Sequence, residues 1–213
     1  MKGKVASLNI KLPEEVATSN KTFFTAYNKI PQQQPVFLHK THFEGDGVGD
    51  KVHHGGLDQA VCVYPFEHYE KWNAELKLDS PLKIPAFGEN ITPIGFTEDA
   101  VCIGDVFQMG EAVVQITQPR QPCNTLASIL CRPDMIKKVV DTGRTGYYLR
   151  VLQEGMVAVG DEMVRIEKHS AGISVTETNQ IKYGFEKDPE KIQRLIEVKE
   201  LAESMRDSLL KRT

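Results

Sequence analysis

Short runs of alternating apolar and polar residues fill most of the first 167 positions, and turns containing glycine separate them. Such runs predict β-strands, which we place at 5–10, 36–43, 60–64, 113–117, 147–152 and 163–166. Many short strands favour a closed or nearly closed β-barrel, because closure removes exposed strand edges. Apolar residues at helical spacing predict helices inserted at 65–76 and 133–140. The predicted fold class is therefore mainly β, of the α+β type.

The pattern changes near residue 168, where glycine turns give way to a charged segment with apolar residues at helical intervals. The spacing of Ser174 and Glu177 is that of a capping box, and Asp188-Pro189 supplies an N-cap followed by proline at the first helical position. We predict a barrel domain over residues 1–167 and a small helical domain over residues 168–213. Two or three helices there should pack on each other, on the barrel or on a second subunit, so a homodimer is one option.

Composition and charge indicate which macromolecular partners and which cellular compartment the sequence favours. The 213 residues are 40% hydrophobic and 26% charged, as in ordinary globular chains, and the formal net charge is -3. The interspersed charges disfavour a nucleic-acid polymer or an anionic membrane as a partner. No apolar stretch is long enough for a membrane helix or follows the first lysines as a signal peptide would, so we expect a cytoplasmic protein. Four cysteines without paired spacing favour a reducing compartment.

The four cysteines have different surroundings. Cys123 follows a prolyl turn and precedes a predicted helix beginning at Asn124, with Arg120 three residues upstream. The free N–H groups at the start of a helix and a nearby guanidinium both favour a thiolate, which attacks electrophiles or ligates soft metals. Cys62 and Cys102 occupy short apolar runs and are predicted to be buried in the core. Cys131 lies too far along the helix to form a disulfide with Cys123 easily, and is either buried or idle.

Two further segments carry chemistry suited to an anion. The glycine-rich loop at 45–56 can bring backbone N–H groups close to phosphate oxygens, and Lys51 or a histidine can add charge. Neighbouring residues in a strand face opposite ways, so we expect at most one of the adjacent histidines to enter a site, and we favour His54, which stands beside the two glycines. The segment 141–150 contains Arg144 and Arg150, whose forked guanidinium groups suit phosphate. A solvated surface loop is the alternative for both segments.

Several ordered motifs together resemble the MOSC family, the molybdenum-cofactor sulfurase C-terminal domain. They are Lys51-Val52-His53-His54-Gly55-Gly56, Ala60-Val61 with Tyr64, Glu67-His68-Tyr69 with Trp72, Gly88-Glu89-Asn90, Pro119-Arg120-Gln121-Pro122-Cys123, and Gly143 to Arg150. The resemblance extends from the start of the chain to about Ile166. The remaining tail resembles the three-helix extension of a bacterial branch of stand-alone MOSC proteins. His68, Tyr69 and Trp72 share one side of a predicted helix, where packing is a simpler role than catalysis.

The resemblance implies a β-barrel that binds the molybdenum cofactor, molybdopterin, with Cys123 as the catalytic thiolate and the metal ligand. It also implies reduction of N-hydroxylated compounds, such as amidoximes and hydroxylaminopurine-type base analogues. The sequence has no evident flavin, haem or iron–sulfur motif, so we expect the electrons to come from a separate donor protein or a chemical reductant. The bacterial relatives are associated with resistance to such analogues. The candidate cofactor contacts are Lys51, His54, Gly55, Asn90, Arg120, Arg144, Thr145 and Arg150.

Three alternative functions would use some of the same residues in different ways. A sulfur carrier would hold a persulfide on Cys123 and would need no molybdenum. A zinc hydrolase would combine Cys123 with His53, His54 or His68, although no pair has a recognised zinc-ligand spacing. A non-catalytic cofactor-binding module would use the helical tail as a docking surface.

Overall fold

The computed structural model describes residues 1–17, 21–50 and 54–211. The strands are β1 (Lys2–Ile10), β2 (Glu14–Ala17), β3 (Thr22–Thr25), β4 (Ile30–Pro31), β5 (Val36–Leu38), β6 (Val61–Val63), β7 (Ile91–Ile94), β8 (Val106–Met109), β9 (Ala112–Pro119), β10 (Tyr147–Gln153), β11 (Gly155–Val157) and β12 (Glu162–Glu167). The α-helices are α1 (Glu67–Leu76), α2 (Asn124–Ile129), α3 (Met135–Thr142), α4 (Val175–Tyr183), α5 (Pro189–Ile196) and α6 (Glu203–Leu210), and Leu57–Gln59 forms one 3-10 turn.

Seven strands form a closed barrel in the order β12, β8, β9, β10, β6, β7 and β1. Closure comes from β1, which pairs with β12 through Lys2↔Val164 and Gly3↔Met163. The sheet is mixed, because β6 and β7 are parallel while the other neighbouring pairs are antiparallel. The predicted barrel is thus confirmed. Leu8, Val61, Phe107, Ile116 and Leu149 are fully buried within it, as expected for alternate residues that point inward.

The strand predicted at 36–43 is wrong over its second half. β5 ends at Leu38, and the chain then turns back so that the His39 N–H donates to the carbonyl of His42 at 2.9 Å. Phe43 meets Leu38 again as an isolated antiparallel bridge. Two apolar ends with a polar middle therefore correspond to a tight hairpin rather than to one strand. The other five predicted strands overlap β1, β6, β9, β10 and β12.

Helix α1 packs an aromatic cluster against one end of the barrel. Tyr64 and Phe87 are stacked with ring centroids 3.9 Å apart, and the Trp72 Nε1–H donates to the Tyr64 hydroxyl at 2.6 Å. His68 is buried beside Glu98, with 2.6 Å between Nε2 and the carboxylate. These contacts confirm the packing role expected of the α1 residues. They also hold the segment after Phe87 in place beneath the cavity described below.

The tail contains three helices, and both predicted helix starts are confirmed. Ser174 Oγ accepts a hydrogen bond from the Glu177 N–H at 3.0 Å, and the Asp188 side chain accepts one from the Glu190 N–H at 2.9 Å. The tail lies against the barrel, where the Ala202 N–H donates to the carbonyl of Thr117 at 3.1 Å. None of the described helices is both long enough and apolar enough to cross a membrane.

Candidate functional site

Cys123 stands at the junction between barrel strand β9 and helix α2. The strand ends at Pro119, and the Arg120 N–H donates to the carbonyl of Gly146 at 3.0 Å, which fixes the chain as it leaves the barrel. Cys123 has an extended backbone, with φ -118° and ψ 168°, and occupies the N-cap position of α2. The predicted helix start at Asn124 is confirmed. Cys123 therefore lies at the first turn of α2, where its backbone carbonyl accepts the Leu126 N–H at 3.1 Å.

The Cys123 side chain lines a cavity of about 820 Å³. The walls come from β6, β10, the segment after Phe87, the glycine-rich loop and the hairpin of β2 and β3. His54, Gly55, Asn90 and Arg120, four of the predicted site residues, line the same cavity. A pocket of this size is in the usual range for a small-molecule or cofactor site. Sequence positions as far apart as 54 and 123 are thus brought to one place.

The glycine-rich loop closes against the β2–β3 hairpin because glycine leaves room for close approach. A Cβ at Gly49 would lie 1.9 Å from the carbonyl oxygen of Phe24, so only glycine fits there. Gly55 has a φ of +85°, a conformation that a larger residue adopts only with strain. Gly49 thus lies against Phe24 of β3, while His54 and Gly55 line the cavity. The sequence pattern identified the loop but not the hairpin that it covers.

The surroundings of Cys123 favour its ionised form. Burial alone raises the pKa of the thiol. The neighbouring His54 side chain and Leu126 N–H, together with the positive charge of Arg120, act in the opposite direction and prevail, so that the pKa falls to about 6. At neutral pH the sulfur is therefore largely a thiolate, the form that acts as nucleophile or metal ligand.

Arg120 is the buried cation of the site, with only 5% of its surface exposed. Burial raises the pKa of the Tyr27 and Tyr148 phenols, which both line the cavity, and the charge of Arg120 opposes that rise. One of its nitrogens, Nη1, is buried and has no hydrogen-bond partner among the described residues. An unsatisfied buried donor is costly unless a bound group completes it, so Arg120 is equipped to receive an acceptor atom.

Cys62 was predicted to be a core residue, and this is wrong. Its side chain is half-buried and lines the cavity. Val61 and Val63 on either side are fully buried in the barrel core, so alternation along β6 turns Cys62 to the opposite face. Its cross-strand partner Tyr148 faces the cavity as well. Burial raises the pKa of Cys62 to about 11, so this second thiol is protonated at neutral pH.

The other two cysteines lie elsewhere. Cys102 is buried, as predicted from its apolar run. Cys131 is exposed and follows the end of α2, with a φ of +51°. Neither belongs to the cavity lining, so Cys131 is a suitable reference thiol for experiments on Cys123.

A buried ion pair in the cavity wall was missed by sequence reasoning. The Lys29 ammonium lies 2.5 Å from Asp46 Oδ1, and each side chain is only 6% exposed. The carboxylate also accepts the Lys11 N–H at 2.9 Å and the Asn90 Nδ2–H at 2.7 Å. Asn90 thus acts as a bridge that ties the ion pair to Cys62, whose N–H donates to Asn90 Oδ1 at 3.0 Å. No local motif marks a lysine and an aspartate 17 positions apart as partners.

The two arginines of the segment 141–150 do not line this cavity. Arg144 pairs with Glu75 at 2.8 Å and lies over the ring of Trp72, 4.8 Å from its centroid. Arg150 pairs with Asp58 at 2.6 Å. Both guanidinium groups therefore pair with carboxylates of the chain itself, while Arg144 Nη1 is buried without a hydrogen-bond partner among the described residues. The sequence pattern predicts that these arginines contact a phosphate, whereas in the structure they contact side chains of the same protein.

Thr145 is also away from the cavity. It is fully buried, donates to the carbonyl of Gly146 at 2.8 Å and accepts a hydrogen bond from Asn179 Nδ2 at 2.9 Å.

Lys51 and His53 lie outside the described residues. Within the part of the chain that the structure describes, no group of three or more His, Cys, Asp or Glu side chains is arranged to hold a metal ion.

Three features define the class of protein. They are a closed mixed β-barrel, a cavity whose wall contains a cysteine of low pKa, and three C-terminal helices. The model of the MOSC domain matches residues 50–164, and that of the YiiM-like, 3-alpha helix domain matches residues 173–212. The chain belongs to the MOSC family and carries the YiiM-like helical domain at its C-terminal end.

Similarity to known proteins covers most of the chain. YflK of Bacillus subtilis is 46% identical over 208 residues, covering 98% of this chain and 93% of YflK. The crystal structure of YiiM from Geobacillus stearothermophilus aligns over 99% of this chain and 98% of that one, with a TM-score of 0.83 and 32% identity. A protein of Gibberella moniliformis named "Reductase" is 34% identical over 146 residues, which are 68% of this chain and 26% of that longer protein.

Proposed function

We propose that this protein is a molybdenum-cofactor-binding oxidoreductase that reduces N-hydroxylated compounds, with the Cys123 thiolate as the protein ligand of the metal. The observation that carries the proposal is the Cys123 thiol itself, whose pKa falls to about 6 at the wall of a cavity of about 820 Å³. Membership of the MOSC family and the likeness to a protein named reductase support the same conclusion.

The residues present fit the proposed cofactor on chemical grounds. A thiolate is a soft ligand of the type that suits a metal already bound by sulfur. Arg120 offers the buried Nη1 donor that lacks a partner among the described residues, and it would hold an acceptor oxygen or nitrogen of the cofactor. His54 and the loop around Gly55 form an adjacent wall. Arg144, Thr145 and Arg150 are left out of this proposed cradle, since each contacts other parts of the chain.

The reaction replaces N–OH by N–H and releases water, which consumes two electrons and two protons. When bound, the molybdenum centre supplies the two-electron chemistry. The chain supplies orientation, a cavity that limits access of water, and groups that exchange protons. His54 is placed for the last task, because it lines the cavity together with Cys123 and lowers the pKa of that thiol. The electrons come from a separate donor protein in this proposal.

The test is metal content followed by turnover. The chain is produced in a host that makes molybdopterin, and molybdenum per chain is measured for the wild type, Cys123→Ala and Cys131→Ala. We expect near-equal metal in the wild type and Cys131→Ala, and loss of most of it in Cys123→Ala. Reduction of 6-hydroxylaminopurine with a chemically reduced dye should follow the same order. A Cys123→Ala protein that keeps both its molybdenum and its turnover contradicts the proposal.

The low pKa of Cys123 also suits a second function, transfer of sulfur as a persulfide on that residue. Mass spectrometry after incubation with a persulfide donor separates the two functions. Loading of one additional sulfur on Cys123 in the metal-free chain, without turnover of N-hydroxylated compounds by the metal-loaded chain, would favour the carrier. Turnover without loading would favour the reductase.

A further inference from the structure

The β2–β3 hairpin contributes a wall to the cavity without contributing a strand to the barrel. Its two strands pair with each other and with no other described strand. A two-stranded hairpin is only marginally stable by itself in water, so contacts at its base matter. The Lys11 ammonium pairs with Glu14 at 2.6 Å where β2 begins, and the Tyr27 N–H donates to Thr25 Oγ1 at 3.1 Å where β3 ends.

Alternation along β3 assigns the Phe23 side chain to the inner face of the hairpin. Phe23 and Thr25 are partly buried, whereas Thr22 and Phe24 are exposed. Phe23 lies opposite Val16 of β2, which is partly buried as well, and directly opposed residues of an antiparallel pair share a face. Phe23 also lines the cavity. Its ring is therefore on the side of the hairpin that the rest of the protein covers.

The Phe23 ring packs in neither apolar core of the described residues. One core fills the barrel and the other surrounds α1, and Phe23 belongs to neither. No other described aromatic ring is paired with it. By contrast Phe87, which lines the same cavity, is fully buried and stacks on Tyr64. Phe23 thus offers the cavity an apolar, flat surface that a bound molecule can cover.

The polar groups of the cavity come from other segments of the chain. Cys123 and Arg120 follow β9, and His54 belongs to the glycine-rich loop. A molecule that contacts both these groups and Phe23 needs a polar, reactive end and a flat apolar body.

We propose that Phe23 determines the specificity of the site by stacking on a flat aromatic or heteroaromatic ring of the substrate. The inference rests on the proposed function and names the part of the substrate that the hairpin recognises. The pterin of the cofactor is also flat, but Phe23 comes from neither of the segments that form the proposed cofactor cradle. We therefore assign the ring that covers Phe23 to the substrate.

The kinetic test uses two substrates that differ only in the ring. Benzamidoxime has a phenyl group where acetamidoxime has a methyl group, and both have the same reacting amidoxime. With the molybdenum-loaded, full-length chain and a chemically reduced dye, Phe23→Ala should raise KM for benzamidoxime about tenfold. Its kcat for benzamidoxime and its KM for acetamidoxime should be unchanged. Phe23→Tyr keeps the ring and should retain the wild-type values.

A binding measurement tests the same contact without turnover. Replacing N–OH by N–H in 6-hydroxylaminopurine gives adenine, so adenine is a flat probe that the site cannot reduce further. Titration calorimetry should show about tenfold weaker adenine binding to Phe23→Ala than to the wild type. Val16→Ala is the matched control, because it removes the cross-strand neighbour of Phe23, which does not line the cavity, and keeps the ring. Its adenine affinity should equal that of the wild type.

Three results would overturn the proposal. The first is an equal rise in KM for both amidoximes in Phe23→Ala, and the second is an adenine affinity that is unchanged in Phe23→Ala or equally reduced in Val16→Ala. The third is loss of molybdenum from Phe23→Ala, which would place the ring against the pterin instead of the substrate. Failure of the proposed function is distinguishable, because the wild type would then reduce neither amidoxime, and the adenine titration alone would decide the role of Phe23.

Discussion

Arg120 and Cys123 stabilise each other's charged forms from within one cavity wall. The positive charge of Arg120 lowers the pKa of the Cys123 thiol, and the thiol in turn raises the pKa of the guanidinium. No carboxylate of the described residues forms a salt bridge with Arg120, whereas Arg144, Arg150 and Arg165 each pair with one. Of the thiols and phenols that act on Arg120, Cys123 is the one whose pKa falls, to about 6, so the Cys123 thiolate supplies the counter-charge near neutral pH.

Replacing Arg120 by methionine should make Cys123 a weaker nucleophile. Loss of the positive charge raises the thiol pKa, and a rise of one pH unit lowers the thiolate fraction near pH 6 by about fivefold. The rate of Cys123 alkylation at pH 6, compared with that at pH 9, measures the change. Molybdenum per chain should fall as well, because the variant lacks the unpartnered Nη1 donor.

Arg144→Met is the control for Arg120→Met. The sequence predicts the same cofactor-binding role for both arginines, but Arg144 pairs with Glu75 and lies over Trp72. Its replacement should reduce stability while leaving the alkylation profile of Cys123 unchanged. Equal profiles for the two variants would mean that the charge of Arg120 does not act on the sulfur.

Much of the fold follows from local sequence patterns. Alternation predicts five of the barrel strands, and the capping residues Ser174 and Asp188 mark two helix starts, because the interactions involved lie within a few residues. The Cys123 environment is also partly local, since the helix that lowers its pKa begins at the next residue. These elements could be predicted because each depends on neighbours in the chain.

Other parts of the site depend on contacts between distant segments. Lys29 meets Asp46 only after the barrel and the glycine-rich loop have formed. Arg144 matches a phosphate-binding pattern, but its guanidinium contacts the Glu75 carboxylate and the Trp72 indole, both from α1. Cys62 could have been assigned correctly, since the flanking Val61 and Val63 leave only the other face for its side chain. That error came from treating an apolar run as uniformly buried.

The low pKa of Cys123 should make stability depend on pH. In the unfolded chain a cysteine has a pKa of about 8.5, while in the folded chain it is about 6. Between these values the unfolded state binds the additional proton, so stability rises with pH by up to about 1.4 kcal/mol per pH unit. The contribution is fully present above pH 8.5 and is lost as the pH falls through 6.

The measurement compares the free energy of unfolding of the wild type with that of Cys123→Ala in urea at several pH values. The difference between the two proteins should grow from pH 6 to pH 8.5 and then level off. Cys131→Ala removes an exposed thiol outside the cavity and should run parallel to the wild type. A constant difference between wild type and Cys123→Ala would show that the folded thiol titrates as it does in the unfolded chain.

Removing one partner of the Lys29–Asp46 pair should strongly destabilise the protein, since each side chain is only 6% exposed and the remaining charge would be buried alone. Replacing Lys29 by methionine leaves the Asp46 carboxylate buried without its cation, which we expect to cost about 3–5 kcal/mol. Lys2→Met is the matched control, because the Lys2–Glu162 pair has side chains that are 63% and 55% exposed and should contribute less than about 1 kcal/mol. Urea unfolding followed by the fluorescence of the single, fully buried Trp72 measures both variants. Similar losses of unfolding free energy in Lys29→Met and Lys2→Met would refute the importance of the buried pair. A large loss in Lys29→Met that is partly recovered in Lys29→Met/Asp46→Asn would identify the uncompensated carboxylate as the cause of that loss.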